Sequence, residues 1–216
     1  MPQWRAATIM AGMSEAKLQV ALDFLELPRA MAVAAGAVEG GADYIEAGTP
    51  LIKSEGLDAV RRLKAAFPDR LIIADMKTMD AGRIETEAAA KAGAGIITVS
   101  GAASESTIRE CVAAGAHYGI KVAVDLLGVA DPLTLAAKAG EWGVAWLDVH
   151  CAIDVQMQGG DPLALLRQVR AATDLTLAVA GGINSETAAS SEEHTSELQS
   201  PNTRSYDDFC LKKKPT

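Results

Sequence analysis

The sequence predicts an α/β protein, a (β/α)8 TIM barrel with seven units legible and the eighth strand missing. Short apolar runs start near residues 18, 43, 71, 96, 121, 145 and 175. Each is followed by a stretch of helical spacing after a short loop, so one unit takes about 25 residues. Repeated strand–helix units force parallel strands with right-handed crossovers. Seven in series suit a barrel better than an open doubly wound sheet, and no G-x-G-x-x-G follows the first run, which weakens a dinucleotide-binding alternative.

Residues 1–16 lack clear periodicity and read as an N-terminal extension, with Met13 as an alternative start. Leu18–Asp23 is the first strand, and Pro28 suits the first turn of a helix through Val38. Asp43–Ala47 is the second; Ser54 is expected to cap a helix to Phe67, which Pro68 stops. Leu71–Asp75 is the third, followed by an Ala-rich helix from about Ala81 to Ala92. Gly95–Ser100 comes next, and Ser104 opens a helix to His117. Lys121–Leu126 and Ala145–His150 are the fifth and sixth strands, each followed by a cap-plus-proline opening, Asp131-Pro132 and Asp161-Pro162. Leu175–Ala180 is the seventh, and Asn184 starts another helix.

An eighth strand is due near residue 199, but Ser190–Thr216 fits neither period. Ser191–Ser200 is similar to a translated sequencing-library adapter, so the barrel domain is read as 17–189 and 190–216 as a non-native or disordered tail. An open seven-strand barrel would expose an edge, so the chain as written is expected to fold poorly or to be inactive.

At 216 residues and 22.5 kDa the chain suffices for one sizeable core. A net charge of −8 argues against nucleic acid or an anionic membrane as the main partner, though not against a phosphorylated metabolite. Three cysteines without a close pair suggest a reducing, cytoplasmic setting, and no run is apolar enough to span a membrane.

Barrel active sites lie at the C-terminal ends of the strands. That rim collects Asp23, Glu46, Asp75, Lys77, Asp125 and His150, with Asp80 in the loop after the third strand. Carboxylates converging there would repel one another without a cation, and oxygen donors favour Mg²⁺ or Mn²⁺ over Zn²⁺. Asp75 and Lys77 share a face by strand alternation. Asp23 and Asp125 equally suit loop capping, and Asp148, one layer deeper, reads as structural. His117 suits a helix C-terminus, Cys111 and Cys151 lack a nucleophile's setting, and Trp142 and Trp146 read as packing. Gly181-Gly182 offers backbone N–H groups to a phosphate.

Four blocks together, Ala21-Leu-Asp23, Glu46-Ala-Gly-Thr-Pro50, Asp75-Met-Lys-Thr-Met-Asp80 and His150-Cys-Ala-Ile-Asp-Val-Gln156, resemble the orotidine-phosphate decarboxylase superfamily. The resemblance covers roughly 18–189. It implies a (β/α)8 barrel, usually a homodimer, with Mg²⁺ on Glu46 and Asp75, and Lys77 against an enediolate. Asp80 would reach the partner subunit's site and His150 would transfer protons. Within the superfamily it points to the branch that joins ribulose 5-phosphate, a phosphorylated ketopentose, to formaldehyde in a Mg²⁺-dependent aldol reaction. The branch that decarboxylates 3-keto-L-gulonate 6-phosphate tends to place Glu, Arg and Thr where this sequence has Asp125, Ile153 and Ala180. Asp23, Asp125, Ala180, Gly181 and Gly182 are then the substrate-binding candidates. A truncated, non-catalytic barrel is the remaining alternative.

Overall fold

The computed structural model describes residues 17–151, 162–181 and 197–200. Eight strands run in chain order around a closed barrel: β1 (Lys17–Leu22), β2 (Tyr44–Ala47), β3 (Leu71–Thr78), β4 (Ile96–Ser100), β5 (Lys121–Asp125), β6 (Trp146–His150), β7 (Thr176–Ala180) and β8 (Glu197–Ser200). Every neighbouring pair is parallel. The described helices are α1 (Leu27–Glu39), α2 (Thr49–Glu55), α3 (Asp58–Ala66), α4 (Gly82–Ala92), α5 (Glu105–Tyr118), α6 (Pro132–Ala139) and α7 (Pro162–Ala172).

Register sorts the side chains. One parity of each strand, including Val20, Leu22, Ile45, Ile72, Val99, Val124, Leu147 and Val179, forms the core beneath the helices. The opposite parity lines the bore. At its lower end Ile73, Ile96, Ala123, Trp146 and Ala178 make an apolar floor, and the Tyr44 and Trp146 rings stack with centroids 6.3 Å apart. Above it the same parity turns polar: Glu46, Asp75, Thr98, Asp125 and Asp148 are all buried.

Two expectations are corrected. Thr49–Phe67 is two helices, and Ser54 lies inside α2 rather than capping. Pro50 supplies the earlier start, and Gly56, at φ 66°, takes a conformation that ends α2. The eighth strand is present. β8 pairs Leu198 with both Val179 of β7 and Leu18 of β1, so the open edge does not arise. Closure is made by peptide groups, which every non-proline residue carries; a search for apolar alternation passes over Glu197-Leu-Gln-Ser200. The strand falls within 190–216, whose other residues lie outside those described, as does the helix expected from Asn184.

Several caps are where the sequence places them. Ser104 Oγ accepts from Thr107 N at 3.1 Å to open α5, and Asp131 Oδ1 accepts from Thr134 N at 3.1 Å to open α6.

Candidate active site at the barrel mouth

The site is built around the end of β3. Between Ala74 and Thr78 the pairing with β4 slips: four steps along β3 cover the two from Ile97 to Val99. Lys77 sits in this bulge at φ 46°, a left-handed conformation uncommon for a lysine. The bulge turns its side chain back over the strand. Lys77 Nζ donates to Asp75 Oδ1 and Oδ2 at 3.0 and 2.9 Å and to Asp125 Oδ2 at 2.7 Å. Asp75 also accepts from Thr98 Oγ1 at 2.5 Å and Thr49 Oγ1 at 2.6 Å. Burial alone would favour neutral Lys77, but Asp75, Asp125 and Glu46 outweigh it and raise its pKa, so the ammonium stays charged.

Asp125 links β3 to β6. Its Oδ2 lies 3.0 Å from His150 Nδ1, and its Oδ1 accepts from Leu127 N at 2.8 Å. Burial would raise its pKa; the His150 hydrogen bond and the Lys77 charge hold it down at about 2. This one carboxylate therefore both caps the following loop and bonds Lys77 and His150. On β2, Glu46 accepts from Gln19 Nε2. Its carboxyl is pushed well above the ordinary range by burial first, then by Asp75 and Asp23. Asp148 is also raised, by burial and then Asp125, and it accepts from Trp146 Nε1 at 3.0 Å. A partly buried ammonium, an imidazole on a carboxylate and a cluster of further acids can support proton transfer beside stabilised negative charge.

A model of the orotidine 5'-phosphate decarboxylase / HUMPS family matches residues 16–197. The chain belongs to this family. It is similar to 3-hexulose-6-phosphate synthase of Mycobacterium gastri, 41% identical over 167 residues that cover 77% of this chain and 80% of the relative. The crystal structure of 3-hexulose-6-phosphate synthase from Salmonella typhimurium superposes with a TM-score of 0.85 at 32% identity, covering 90% of this chain and 95% of that one. That of 3-keto-L-gulonate-6-phosphate decarboxylase from Vibrio cholerae gives 0.76 at 27% identity, covering 94% and 100%. Of these two solved structures, the synthase is the nearer in both TM-score and identity.

Of the candidate residues, Glu46, Asp75, Lys77, Asp125 and His150 come together at the mouth. Asp23 joins them electrostatically: burial, then Asp75, raises its carboxyl, and Gly48 backs it so closely that a Cβ there would sit 2.1 Å from Asp23 Oδ1. Ala180 ends β7 opposite His150, and Gly181 follows at φ 85°. Gly182 and Ile153 lie outside the described residues. Asp80 stands apart, exposed, with Oδ1 accepting from Ala81 N at 2.7 Å. It borders an open hollow with Arg83, Ile84, Thr107 and Glu110.

Gln19, Thr49 and Thr98 join the site without a strong signal in the sequence. Gln19 and Thr98 are polar residues at bore parity in apolar strands, a faint signal; Thr49 stands within the Glu46–Pro50 block.

Among the described residues no three His, Cys, Asp or Glu side chains gather as a metal cage. Mg²⁺ asks less, binding through one or two carboxylates with water and substrate oxygens. The Glu46 carboxyl is raised by burial first and then by Asp75, and a hard cation between the two carboxylates would offset both costs. The donor set fits Mg²⁺ or Mn²⁺.

Proposed function

We propose that this chain catalyses the aldol condensation of D-ribulose 5-phosphate with formaldehyde to 3-hexulose 6-phosphate. The observation that carries the reading is the unbroken hydrogen-bonded chain Asp75–Lys77–Asp125–His150 at the mouth, in a protein whose near relatives bear the synthase name.

His150 Nδ1 donates to Asp125, which leaves Nε2 to take a proton from C1 of the bound ketose. The Lys77 ammonium lies beside the oxygens on which the resulting enediolate charge develops. Carbon 1 then attacks formaldehyde, one C–C bond forms, and the new alkoxide recovers its proton from His150. Lys77 does not act as a Schiff-base nucleophile, because its carboxylate partners keep it protonated. Glu46 and Asp75 would hold Mg²⁺, which when bound supplies Lewis-acid charge to the sugar oxygens. Asp23 would accept from sugar hydroxyls, while Gly181 and Gly182 offer backbone N–H groups to the phosphate.

The test is NMR of ribulose 5-phosphate with ¹³C-formaldehyde and Mg²⁺, alongside deuterium exchange at C1 without formaldehyde. Labelled hexulose phosphate together with exchange is the expected result. Release of CO₂ from 3-keto-L-gulonate 6-phosphate with no formaldehyde uptake would favour the decarboxylase, and absence of all three activities a non-catalytic barrel. The reading extends to a homodimer in which Asp80 serves the partner subunit's site. Mixing inactive Lys77→Ala and Asp80→Ala chains should then restore partial activity, and no restoration would count against it.

A further inference from the structure

Gln19 is fully buried on β1, on the same bore-facing parity as Glu46. Its Nε2 donates to Glu46 Oε2, while its own Oε1 is buried with no partner among the described residues. An amide is a poor choice for a wall position if packing is its task, since a methionine of similar shape would leave no orphaned acceptor. The donor end explains the amide. Glu46 is buried among Asp75, Asp23 and Asp148, and few uncharged side chains can reach it with an N–H. The pairing Ala21↔Glu46 places Gln19 one bore-facing step below Glu46 on the neighbouring strand, from where its longer side chain reaches up to the carboxylate.

We infer that Gln19 is a positioning residue for the metal site: its carboxamide fixes the Glu46 carboxylate so that this residue and Asp75 present oxygens to one divalent cation. This rests on the reading of Glu46 and Asp75 as metal ligands. The arrangement repeats a general rule of metal centres, in which a hydrogen-bond partner behind the ligand sets its orientation and losing it weakens metal binding by about 10–100-fold.

Mn²⁺ binding, followed by electron paramagnetic resonance of the free ion in the absence of substrate, tests it. The wild type, Gln19→Met and a Leu63→Val control are compared, with thermal midpoints measured in parallel. Leu63 lies on α3 in the core beneath the helices, so its variant reports what a modest loss of stability does to binding by itself. Gln19→Met is expected to bind Mn²⁺ at least about tenfold more weakly, while Leu63→Val retains wild-type affinity. Should Gln19→Met fail to fold, Gln19→Asn, one methylene short of Glu46, is expected to show the same weakening. Wild-type affinity in a folded Gln19 variant would overturn the positioning role alone. Weakening of equal size in Leu63→Val would also overturn it, since instability would explain both. A wild type that binds no Mn²⁺ would overturn the metal reading and this inference together.

Discussion

Lys77 holds its ammonium between Asp75 and Asp125, two carboxylates that are almost wholly buried. Removing one partner of a buried ion pair strands the other. Lys77→Met should abolish turnover and cost about 2–3 kcal/mol in urea unfolding, below the value for a fully buried pair because a quarter of its side chain is exposed. His150→Asn should leave the fold intact and lower C1 exchange by about 10²–10⁴-fold, the span expected for a lost general base. The pH dependence has two signs. Asp125, depressed to about 2, stabilises the fold above the ordinary aspartate pKa of about 4, and that contribution, roughly 2 kcal/mol, fades as pH falls through the lower value. Glu46, raised by burial, destabilises as pH climbs past the ordinary glutamate range. Asp125→Asn should therefore flatten the acid limb of the stability curve, and the rise in thermal midpoint on adding Mg²⁺ should grow with pH.

Among elements, the β3 bulge and the β2–α2 turn decide the site. A Cβ at Gly48 would meet Asp23 Oδ1 at 2.1 Å and Leu22 O at 2.9 Å. Gly48→Ala should displace Asp23, raise KM for the sugar phosphate more than it lowers kcat, and cost about 1–3 kcal/mol of stability. This scale also separates what the sequence made legible from what it did not. Charged residues inside apolar strands break the burial rule, so Glu46, Asp75, Lys77, Asp125 and His150 stand out in the sequence itself. Gln19, Thr49 and Thr98 are neutral and fit a strand or helix start without conflict, and only spatial proximity gives them a role. Period-2 alternation put Asp75 and Lys77 on one face, whereas the contact is delivered by a bulge that breaks that period. Gly56 ended a helix that an amphipathic reading carried through.

For the whole molecule, closure rests on β8. Leu198 bridges β1 and β7, and a proline there would remove a ladder N–H and clash with its neighbours. Leu198→Pro should lower stability by about 1–3 kcal/mol, broaden the thermal transition and increase binding of a hydrophobic dye. The strand escaped a reading based on apolar pattern because a ring needs peptide groups at its last position more than it needs greasy side chains.

The bore has a dry floor of Ile73, Ile96, Ala123, Trp146 and Ala178 and a charged storey above it. Along each strand from β3 to β6 the apolar residue comes first and the polar one follows two positions later. Selection, in nature or in the laboratory, can revise charged residues of the upper storey while the apolar foundation goes on supporting them.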